Sequence, residues 1–257
     1  MRKSNTGERN GSNGHTRLKQ AFKQCQGGKL ALKTADMAEF SAPKRSAAEY
    51  LPARLTLSAM RTAVQDCRGC DLYLHATQAV FGEGPASAEI VFIGEQPGDE
   101  EDRRGNPFVG PAGKMFDRSL EEAGIDRTTV YVTNAVKHFK FEERGKRRLH
   151  QKPRISEIRA CQPWLEAELA AIKPKLLVCL GASAAESVFG NEYRVTKERG
   201  IFVAHPRAEF ATSTIHPSAI LRAPDEEQRQ LQYQRFVDDL VKVKNQLAES
   251  ARARGAA

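Results

Sequence analysis

The sequence predicts an α/β domain in three layers (α/β/α), with a four-stranded parallel sheet between two layers of helices. The first observation is that short runs rich in β-branched residues alternate with segments of helical periodicity, a pattern typical of such sheets. The second is that 257 residues, 40% of them hydrophobic, can fill a substantial core. This length fits one sizeable α/β domain or two small ones.

Four short apolar runs, bounded by turn-forming residues, are the predicted strands. In chain order they are 89–95 (EIVFIGE), 129–136 (TVYVTNAV), 175–181 (KLLVCLG) and 209–215 (EFATSTI). The predicted helices have apolar residues at helical spacing, and several of them end at glycine or just before proline. They are a helix that begins near Ser58, followed by 113–123, 155–172, 182–189 and 225–248.

The net charge of +8 is unevenly distributed along the chain. Residues 1–54 hold 11 Lys and Arg against 4 Asp and Glu. Residues 137–154 hold eight basic residues against Glu142 and Glu143, and the remainder is slightly acidic. A polyanion such as nucleic acid is therefore expected to bind one defined segment of the domain.

Residues 1–50 are predicted to be a basic, disordered extension, because Gly, Ser, Asn, Lys and Gln are frequent there and bury little apolar surface. A solvated leader and a DNA tether both fit this segment, and Cys25 within it is expected to have no role. Residues 51–250 are predicted to form the α/β domain. No apolar run approaches 18 residues and no signal peptide is visible, so we expect a soluble, cytoplasmic protein without membrane contact.

Polar residues follow the predicted strands directly, at the edge where open α/β sheets bind ligands. Glu95 and Asp99 flank a Pro-Gly turn after the first strand. Asn134 belongs to the second strand, and His216 follows the fourth. The carboxylates could orient water or accept a proton, the amide could bind a heterocycle, and the imidazole could stabilise an oxygen that gains negative charge. An isolated glutamate or a lone histidine is more often a cap, turn or structural residue, and an asparagine can simply bind loop backbone. Only the convergence of these residues favours a site.

An aromatic residue, Phe108, lies in a glycine-bounded loop after the charged segment Glu100–Arg104, which is expected to be a loop as well. A ring held there could stack on a flat base, although core packing explains the same pattern. The next helix begins with Gly-Pro-Ala-Gly (110–113), whose free amides could bind a phosphate or be capped by solvent.

The cysteines indicate a metal or cluster site before a disulfide framework. Of five cysteines, Cys67 and Cys70 form a C-x-x-C pair, and Cys161 lies on a predicted helix. His138, just beyond the second strand, is the preferred fourth ligand, because Cys179 lies inside an apolar run and is most simply a core thiol. Three cysteines and one histidine suit zinc as well as an iron–sulfur cluster.

Five features of the sequence together resemble the uracil-DNA glycosylase superfamily, in its iron–sulfur branch near family 4. They are GEQPGDEED (94–102), PFVGPAGK (107–114), VTNAVKHFK (132–140), HPSAILR (216–222) and the pattern of Cys67, Cys70 and Cys161. The insert GKRRLH (145–150) resembles the basic loop ending in histidine that marks the UdgX class of that branch, with Leu149 where isoleucine is usual. The resemblance runs from about residue 67 to about residue 240.

The resemblance implies the uracil-DNA glycosylase fold and a role for each matching residue. His150 matches the histidine that bonds to the abasic sugar, Glu95 the residue that assists it, and His216 the residue that binds a uracil oxygen. The remaining matches to the pocket and loop are the stacking Phe108, the base-reading Asn134, the loop arginine Arg148, and Gly94, Gln96 and Asp99. A [4Fe–4S] cluster is also implied, with the ligands Cys67, Cys70, Cys161 and, in place of a family-4 cysteine, His138.

Members of the UdgX class excise uracil and stay attached to the abasic sugar, so the resemblance implies a single-turnover enzyme. The implied partners are uracil-containing DNA, with single strands preferred, and uracil itself, and the implied state is a monomer. The chemistry fits, because uracil leaves as an anion and the sugar becomes a cation. A tethered imidazole at high effective concentration would capture that cation ahead of water.

Two alternatives remain open. In a conventional uracil-DNA glycosylase, the segment 145–150 would only grip the DNA backbone, and abasic product would exceed enzyme. In a non-catalytic, nucleic-acid-binding metalloprotein, Glu95 and His216 would be structural. Binding by such a protein would follow backbone charge and salt and would ignore uracil.

Overall fold

The computed structural model describes residues 45–255. Most of the predicted extension, including Cys25, lies outside the described residues. Within residues 45–50, the segment Ala47–Tyr50 forms a short 3₁₀ helix, and Ala47 is buried against the domain. None of the described helices has the length and apolar character needed to cross a lipid bilayer.

The strands of the described residues form a five-stranded sheet and a separate two-stranded hairpin. They are β1 (Ile90–Gly94), β2 (Tyr131–Asn134), β3 (Phe141–Arg144), β4 (Arg147–His150), β5 (Leu176–Leu180), β6 (Val203–His205) and β7 (Ala208–Thr214). The α-helices are α1 (Leu57–Ala63), α2 (Asp99–Arg104), α3 (Pro111–Ala123), α4 (Ile155–Ile172), α5 (Ala182–Phe189), α6 (Val195–Glu198), α7 (Pro217–Leu221) and α8 (Glu226–Gly255). Further 3₁₀ turns are Val64–Asp66, Asp71–Leu74 and Arg127–Thr129.

The order of the large sheet is β2-β1-β5-β7-β6, and its first four strands are parallel. These are the four strands that the sequence predicts, so the predicted parallel sheet is confirmed. The fifth strand, β6, pairs antiparallel with β7 at the edge and was not predicted. It has only three residues, none of them buried, so its sequence lacks the apolar run that marks the other strands.

Helices cover both faces of the sheet. On one face, α3 and α8 pack through Phe116 and Phe236 onto alternate residues of β1, β2 and β5. On the other face, α4 and α5 pack through residues such as Leu165 and Ala184 onto the remaining residues of the same strands. The three-layer α/β/α arrangement predicted from the sequence is therefore confirmed.

Most helices begin and end close to the residues that the sequence predicts. Helices α4 and α5 match the predicted ranges, and α3 ends at Gly124, whose φ of 68° is the left-handed conformation that glycine adopts readily. Helix α3 begins at Pro111, two residues before the prediction, and α8 continues to Gly255.

Two segments expected to be loops are regular structure. The charged segment around Glu100–Arg104 is helix α2, whose acidic first turn and basic last turn complement the helix dipole. The basic segment before His150 is not an open loop, because β3 and β4 form an antiparallel hairpin that turns at Gly145. Register pairs His150 with Phe141, so the hairpin fixes the position of the histidine along the strand.

Candidate active site

The carboxyl ends of the parallel strands open into a pocket of about 740 Å³. Register aligns Gly94 of β1 with Asn134 of β2, and Leu180 of β5 with Thr214 of β7. The residues that end or follow these strands are therefore neighbours in space, as the sequence predicts. The predicted site residues that line the pocket are Glu95, Gln96, Asp99, Phe108, Asn134, His150 and His216.

The carboxylate of Glu95 contacts His150 at the mouth of the pocket. The distance from His150 Nε2 to Glu95 Oε1 is 3.1 Å, and the His150 side chain is 50% exposed. The ring of Phe139 lies beside the imidazole, with 6.2 Å between ring centroids. The two residues are distant in sequence, and the hairpin brings the imidazole to the strand end.

Glu95 is ionised at neutral pH in this setting. Burial by itself would raise the pKa of Glu95, but hydrogen bonds from His150 and Ser183 hold that pKa below its ordinary value. Ser183 Oγ donates to Glu95 Oε2, so each carboxylate oxygen has a partner from a different element. A carboxylate with these partners can accept or hold a proton of the imidazole.

His216 presents a neutral imidazole to the pocket. Its Nδ1 accepts a hydrogen bond from the Ser218 backbone N–H at 3.1 Å, so the proton of the neutral ring resides on Nε2. Burial lowers the pKa of His216 to about 4. The Nε2–H group is then free to donate to a ligand oxygen, which is the role expected of this residue.

Phe108 and Asn134 lie over the end of β1. The Phe108 ring stacks near His216 with 6.3 Å between centroids, and Phe108 has a φ of 58°. A Cβ at Gly94 would lie 2.3 Å from Asn134 Oδ1 and 2.9 Å from Phe108 Cζ. Gly94 therefore shapes the pocket through its missing side chain, because only glycine lets the amide and the ring approach this closely.

Gln96 connects the first strand to the hairpin. Its Nε2 donates to the backbone oxygens of Lys140 and Gln151, at 3.1 Å and 3.0 Å. Its Oε1 accepts from the Lys140 backbone N–H at 3.1 Å. Lys140 and Gln151 flank the hairpin, so this side chain holds the base of the hairpin although it also borders the pocket.

Arg148 fastens the hairpin to α2. Its guanidinium donates to Asp99 Oδ1 at 2.5 Å and to Asp102 Oδ2 at 2.6 Å. The same group lies 4.9 Å from the centroid of the Phe141 ring and 5.5 Å from that of Phe139. Arg148 is thus engaged by two carboxylates and two rings, and Asp99 serves as its partner.

The cations of residues 137–154 divide into buried and exposed sets. Lys137 is fully buried in an ion pair with Glu168, so the expectation that it contributes to a surface charge is wrong. Lys140 pairs with Glu157 at 2.8 Å and is largely buried. The exposed cations are Arg144, Lys146, Arg147, Lys152 and Arg154.

Three of the predicted metal ligands lie in one buried cluster. Cys67 and Cys161 belong to it, and Cys70 packs against it. Trp164 Nε1 donates to Cys67 Sγ at 3.2 Å, and the Lys137 backbone N–H donates to Cys161 Sγ at 3.3 Å. Burial raises the pKa of Cys161, and the charge of Lys137 opposes this shift.

The fourth predicted ligand, His138, does not complete a site in this arrangement. Burial lowers the pKa of His138 to about 4, and the charge of Asp102 opposes this shift. Across residues 45–255, no group of three or more His, Cys, Asp or Glu side chains is arranged to hold a metal ion. The donor chemistry suits a cluster, but the ligand geometry for one is incomplete. Cys179 is a core thiol of β5, as expected.

Three polar residues of the site were missed by reasoning from the sequence. Ser183 holds Glu95, Ser218 fixes the tautomer of His216, and Asp102 binds Arg148. Ser183 follows β5 at the same edge, which is a usable signal. Asp102 lies one helical turn after Asp99, but that spacing has meaning only if the segment is read as a helix.

The fold and the pocket define an open-sheet α/β protein whose site lies at the carboxyl ends of its parallel strands. A family model described as the uracil DNA glycosylase superfamily matches residues 81–241, and the chain belongs to this superfamily.

Several characterised relatives are similar over most of the domain. A Type-4 uracil-DNA glycosylase of Thermotoga maritima is 37% identical over 183 residues, which is 71% of this chain and 90% of the relative. A Type-4 uracil-DNA glycosylase of Sulfurisphaera tokodaii is 35% identical over 66% of this chain and 78% of its own length. One of Archaeoglobus fulgidus is 41% identical over 49% of this chain and 60% of its own.

Proposed function

We propose that the protein is a uracil-DNA glycosylase that becomes covalently linked to the abasic sugar through His150. The similarity to Type-4 uracil-DNA glycosylases supports excision of uracil from DNA. The observation that carries the covalent step is the 3.1 Å contact between His150 Nε2 and Glu95 Oε1 at the pocket mouth.

Release of the base follows from the pocket residues. As the bond between C1′ and N1 breaks, its electron pair leaves with uracil, and His216 Nε2–H donates to the uracil oxygen that gains charge. The Phe108 ring supplies a face for stacking, and the Asn134 amide faces the base edge. These interactions favour the departing anion over the intact substrate.

Capture of the sugar cation is assigned to His150. An imidazole nitrogen supplies the electron pair of the new bond to C1′, and the imidazole proton passes to Glu95. The ionised state of Glu95 supports this proton transfer. Water is outcompeted because the hairpin holds the ring beside the pocket at high effective concentration.

Binding of DNA is assigned to the exposed cations of the hairpin and the residues that follow it, Arg144, Lys146, Arg147, Lys152 and Arg154. Single-stranded DNA is the preferred substrate in this proposal, because its uracil needs no unpairing before it enters the pocket. A monomer is sufficient, since one chain supplies all the pocket residues. The protein would act where chromosomal DNA is, at the nucleoid.

The covalent step has a direct test. Wild-type protein incubated with uracil-containing single-stranded DNA is expected to give a shifted band that survives heat and SDS, and DNA with thymine in place of uracil gives none. In His150→Ser the band is absent while uracil is still released, because water then captures the cation. A band that disappears on boiling would contradict the covalent proposal.

A conventional glycosylase with multiple turnovers is the second candidate, and one observation favours it. His150 is half-exposed, so water also reaches Glu95 at the pocket mouth. Free abasic product in excess of enzyme, measured for the wild type, would establish this candidate and exclude the first.

We also propose that Cys67, Cys70, Cys161 and His138 hold a [4Fe–4S] cluster. The buried thiols and the N–H groups directed at two of them support this assignment. Such a cluster would supply a structural link between the segment 67–70 and helix α4. Iron and acid-labile sulfide are expected in anaerobically purified wild-type protein. Cys161→Ser is expected to lose both, whereas Cys179→Ser is expected to retain both. Absence of iron from the wild type would contradict the proposal.

A further inference from the structure

A fully buried ion pair joins Lys137, just beyond β2, to Glu168 of α4. Both side chains have 0% exposure. Buried charges are rare, and replacing such a pair by apolar residues is often neutral or stabilising. The pair is therefore poorly explained by stability alone, and its surroundings indicate what else it does.

The carboxylate of Glu168 accepts hydrogen bonds from four groups. Its Oε1 accepts from the Gly82 backbone N–H at 3.1 Å and from the Tyr131 hydroxyl at 2.8 Å. The Thr133 hydroxyl lies 3.0 Å from both of its oxygens, and Lys137 Nζ completes the set. A Cβ at Gly82 would lie 2.5 Å from Glu168 Oε1, so the backbone also makes room for this carboxylate.

The ammonium group of Lys137 turns back towards the end of β2. Besides Glu168, it donates to Thr133 Oγ1 at 2.7 Å and to the Asn134 backbone oxygen at 2.9 Å. Its three protons are thus used by three acceptors. Thr133 and Asn134 are the last two residues of β2, so the ammonium group holds the strand where it meets the pocket.

The chain beyond β2 stays paired with the end of β1 for two more residues. Backbone hydrogen bonds from Ala135 to Gly94 and from Val136 to Glu95 continue the pairing with β1. The Asn134 side chain, by contrast, has no hydrogen-bond partner within residues 45–255 and borders the pocket. Its direction is set by the backbone on either side of it, which Lys137 holds.

We infer that Lys137 and Glu168 are positioning residues that orient Asn134 for recognition of the base. The inference rests on the proposed function, in which the Asn134 amide faces the edge of uracil. The pair touches neither the substrate nor the reacting atoms. It fixes the backbone of Asn134 from α4 and keeps the amide directed into the pocket before the base arrives.

The test uses the full chain and removes both partners, because removal of one leaves the other charge buried and unpaired. The variant is Lys137→Met/Glu168→Leu, whose side chains fill comparable space without charge. The matched control is Lys175→Met/Glu89→Leu. It removes the ion pair between Lys175 and Glu89 at the opposite, amino end of β1 and β5.

The first readout is the single-turnover rate of uracil release. The variant is expected to slow release roughly 10- to 100-fold with unchanged affinity for the DNA, and the control is expected to match the wild type. Adding Asn134→Ala to the variant is expected to give the rate of Asn134→Ala alone. If the two losses multiply, or if Lys137→Met/Glu168→Leu leaves the rate of uracil release unaltered, the inference is wrong.

The second readout is hydrogen exchange, which needs no activity. Faster exchange over residues 131–138 is expected in the variant, with β5 unchanged and no change in the control. Unchanged exchange over 131–138 would overturn the inference. If the wild type releases no uracil, the proposed function fails, and exchange still decides whether the pair orders Asn134. Glu168→Gln is the second variant should the first not fold, because its amide oxygen can still accept from Lys137 Nζ, and effects in the same direction are expected.

Discussion

Glu95 and His216 lie in one pocket, and their surroundings lower the pKa of both groups for different reasons. Hydrogen bonds from His150 and Ser183 outweigh burial and keep the pKa of Glu95 low. Burial without a charged hydrogen-bond partner lowers the pKa of His216 to about 4. At neutral pH the carboxylate is charged and the imidazole is neutral. One residue is therefore ready to accept a proton and the other to donate a hydrogen bond.

The neutral state of His216 predicts how stability depends on pH. Folding lowers the pKa of His216 from 6.5 to about 4, so between these values the unfolded chain binds a proton that the folded chain does not. We expect the free energy of unfolding to fall as the pH drops through this range. His216→Gln should lose less stability on acidification than the wild type, by about 3 kcal/mol at pH 4.

Urea denaturation at a series of pH values measures this difference. Equal pH dependence in His216→Gln and the wild type would show that His216 is not buried in its neutral form.

Gly94 provides a second prediction at a single residue. Its added Cβ would lie 2.3 Å from Asn134 Oδ1, so Gly94→Ala must displace the amide or the Phe108 ring. We expect single-turnover release of uracil to fall roughly 100-fold while the protein remains folded. Circular dichroism is the control for folding, and the spectrum of Gly94→Ala is expected to match that of the wild type. Full activity of Gly94→Ala would show that Asn134 and Phe108 do not recognise the base.

At the level of elements, the β3–β4 hairpin is the part of the site that carries His150. It is held by Gln96 at its base and by Arg148 against α2. A two-stranded hairpin is at best marginally stable on its own, so these attachments determine where the imidazole lies.

Detachment of the hairpin should therefore separate the two chemical steps. Arg148→Ala removes both contacts to Asp99 and Asp102, and we expect crosslink formation to slow roughly 10- to 100-fold with a smaller effect on uracil release. Gel assays of crosslink and of released base measure the two rates. Arg147→Ala, at the exposed neighbouring position, is the control and should weaken DNA binding only. If Arg148→Ala slowed crosslink formation and uracil release equally, Arg148 would support the pocket as a whole and not the position of His150.

For the whole molecule, the distribution of charge links the fold to DNA. Ion pairing buries Lys137 and Lys140 and engages Arg148, whereas five other cations of residues 137–154 remain exposed on the hairpin and the turn after it. The exposed cations lie on the hairpin and the turn after it, close in sequence to His150, which lines the pocket. A DNA strand held by them would be presented to the pocket mouth.

This distribution predicts the salt dependence of binding. Removal of two exposed cations in Lys146→Ala/Arg147→Ala is expected to reduce the slope of log K against log salt by about 1.4 on single-stranded DNA. Fluorescence anisotropy with labelled oligonucleotides over a range of salt concentrations measures the slope. Lys244→Ala on α8 is the control and should leave it unchanged. An unchanged slope in the double variant would place the DNA elsewhere on the surface.

Much of the fold was predictable because its signals are local. The parallel strands are buried on both faces and therefore read as continuous apolar runs, and helix ends follow glycine and proline. The edge strand β6 and the β3–β4 hairpin escaped prediction because neither carries an apolar run. Their strand conformation depends on hydrogen bonds to a partner, which composition does not reveal.

The sequence by itself determined the four parallel strands and the residues at their ends, because strands buried on both faces carry continuous apolar runs. Only the tertiary structure decided which partners the individual polar side chains bind. Lys137 and Arg148 look like surface cations in the sequence, yet Glu168 and Asp102, 31 and 46 residues away, engage them. Charge pairing of this kind depends on distances in space, and residue type alone does not specify them.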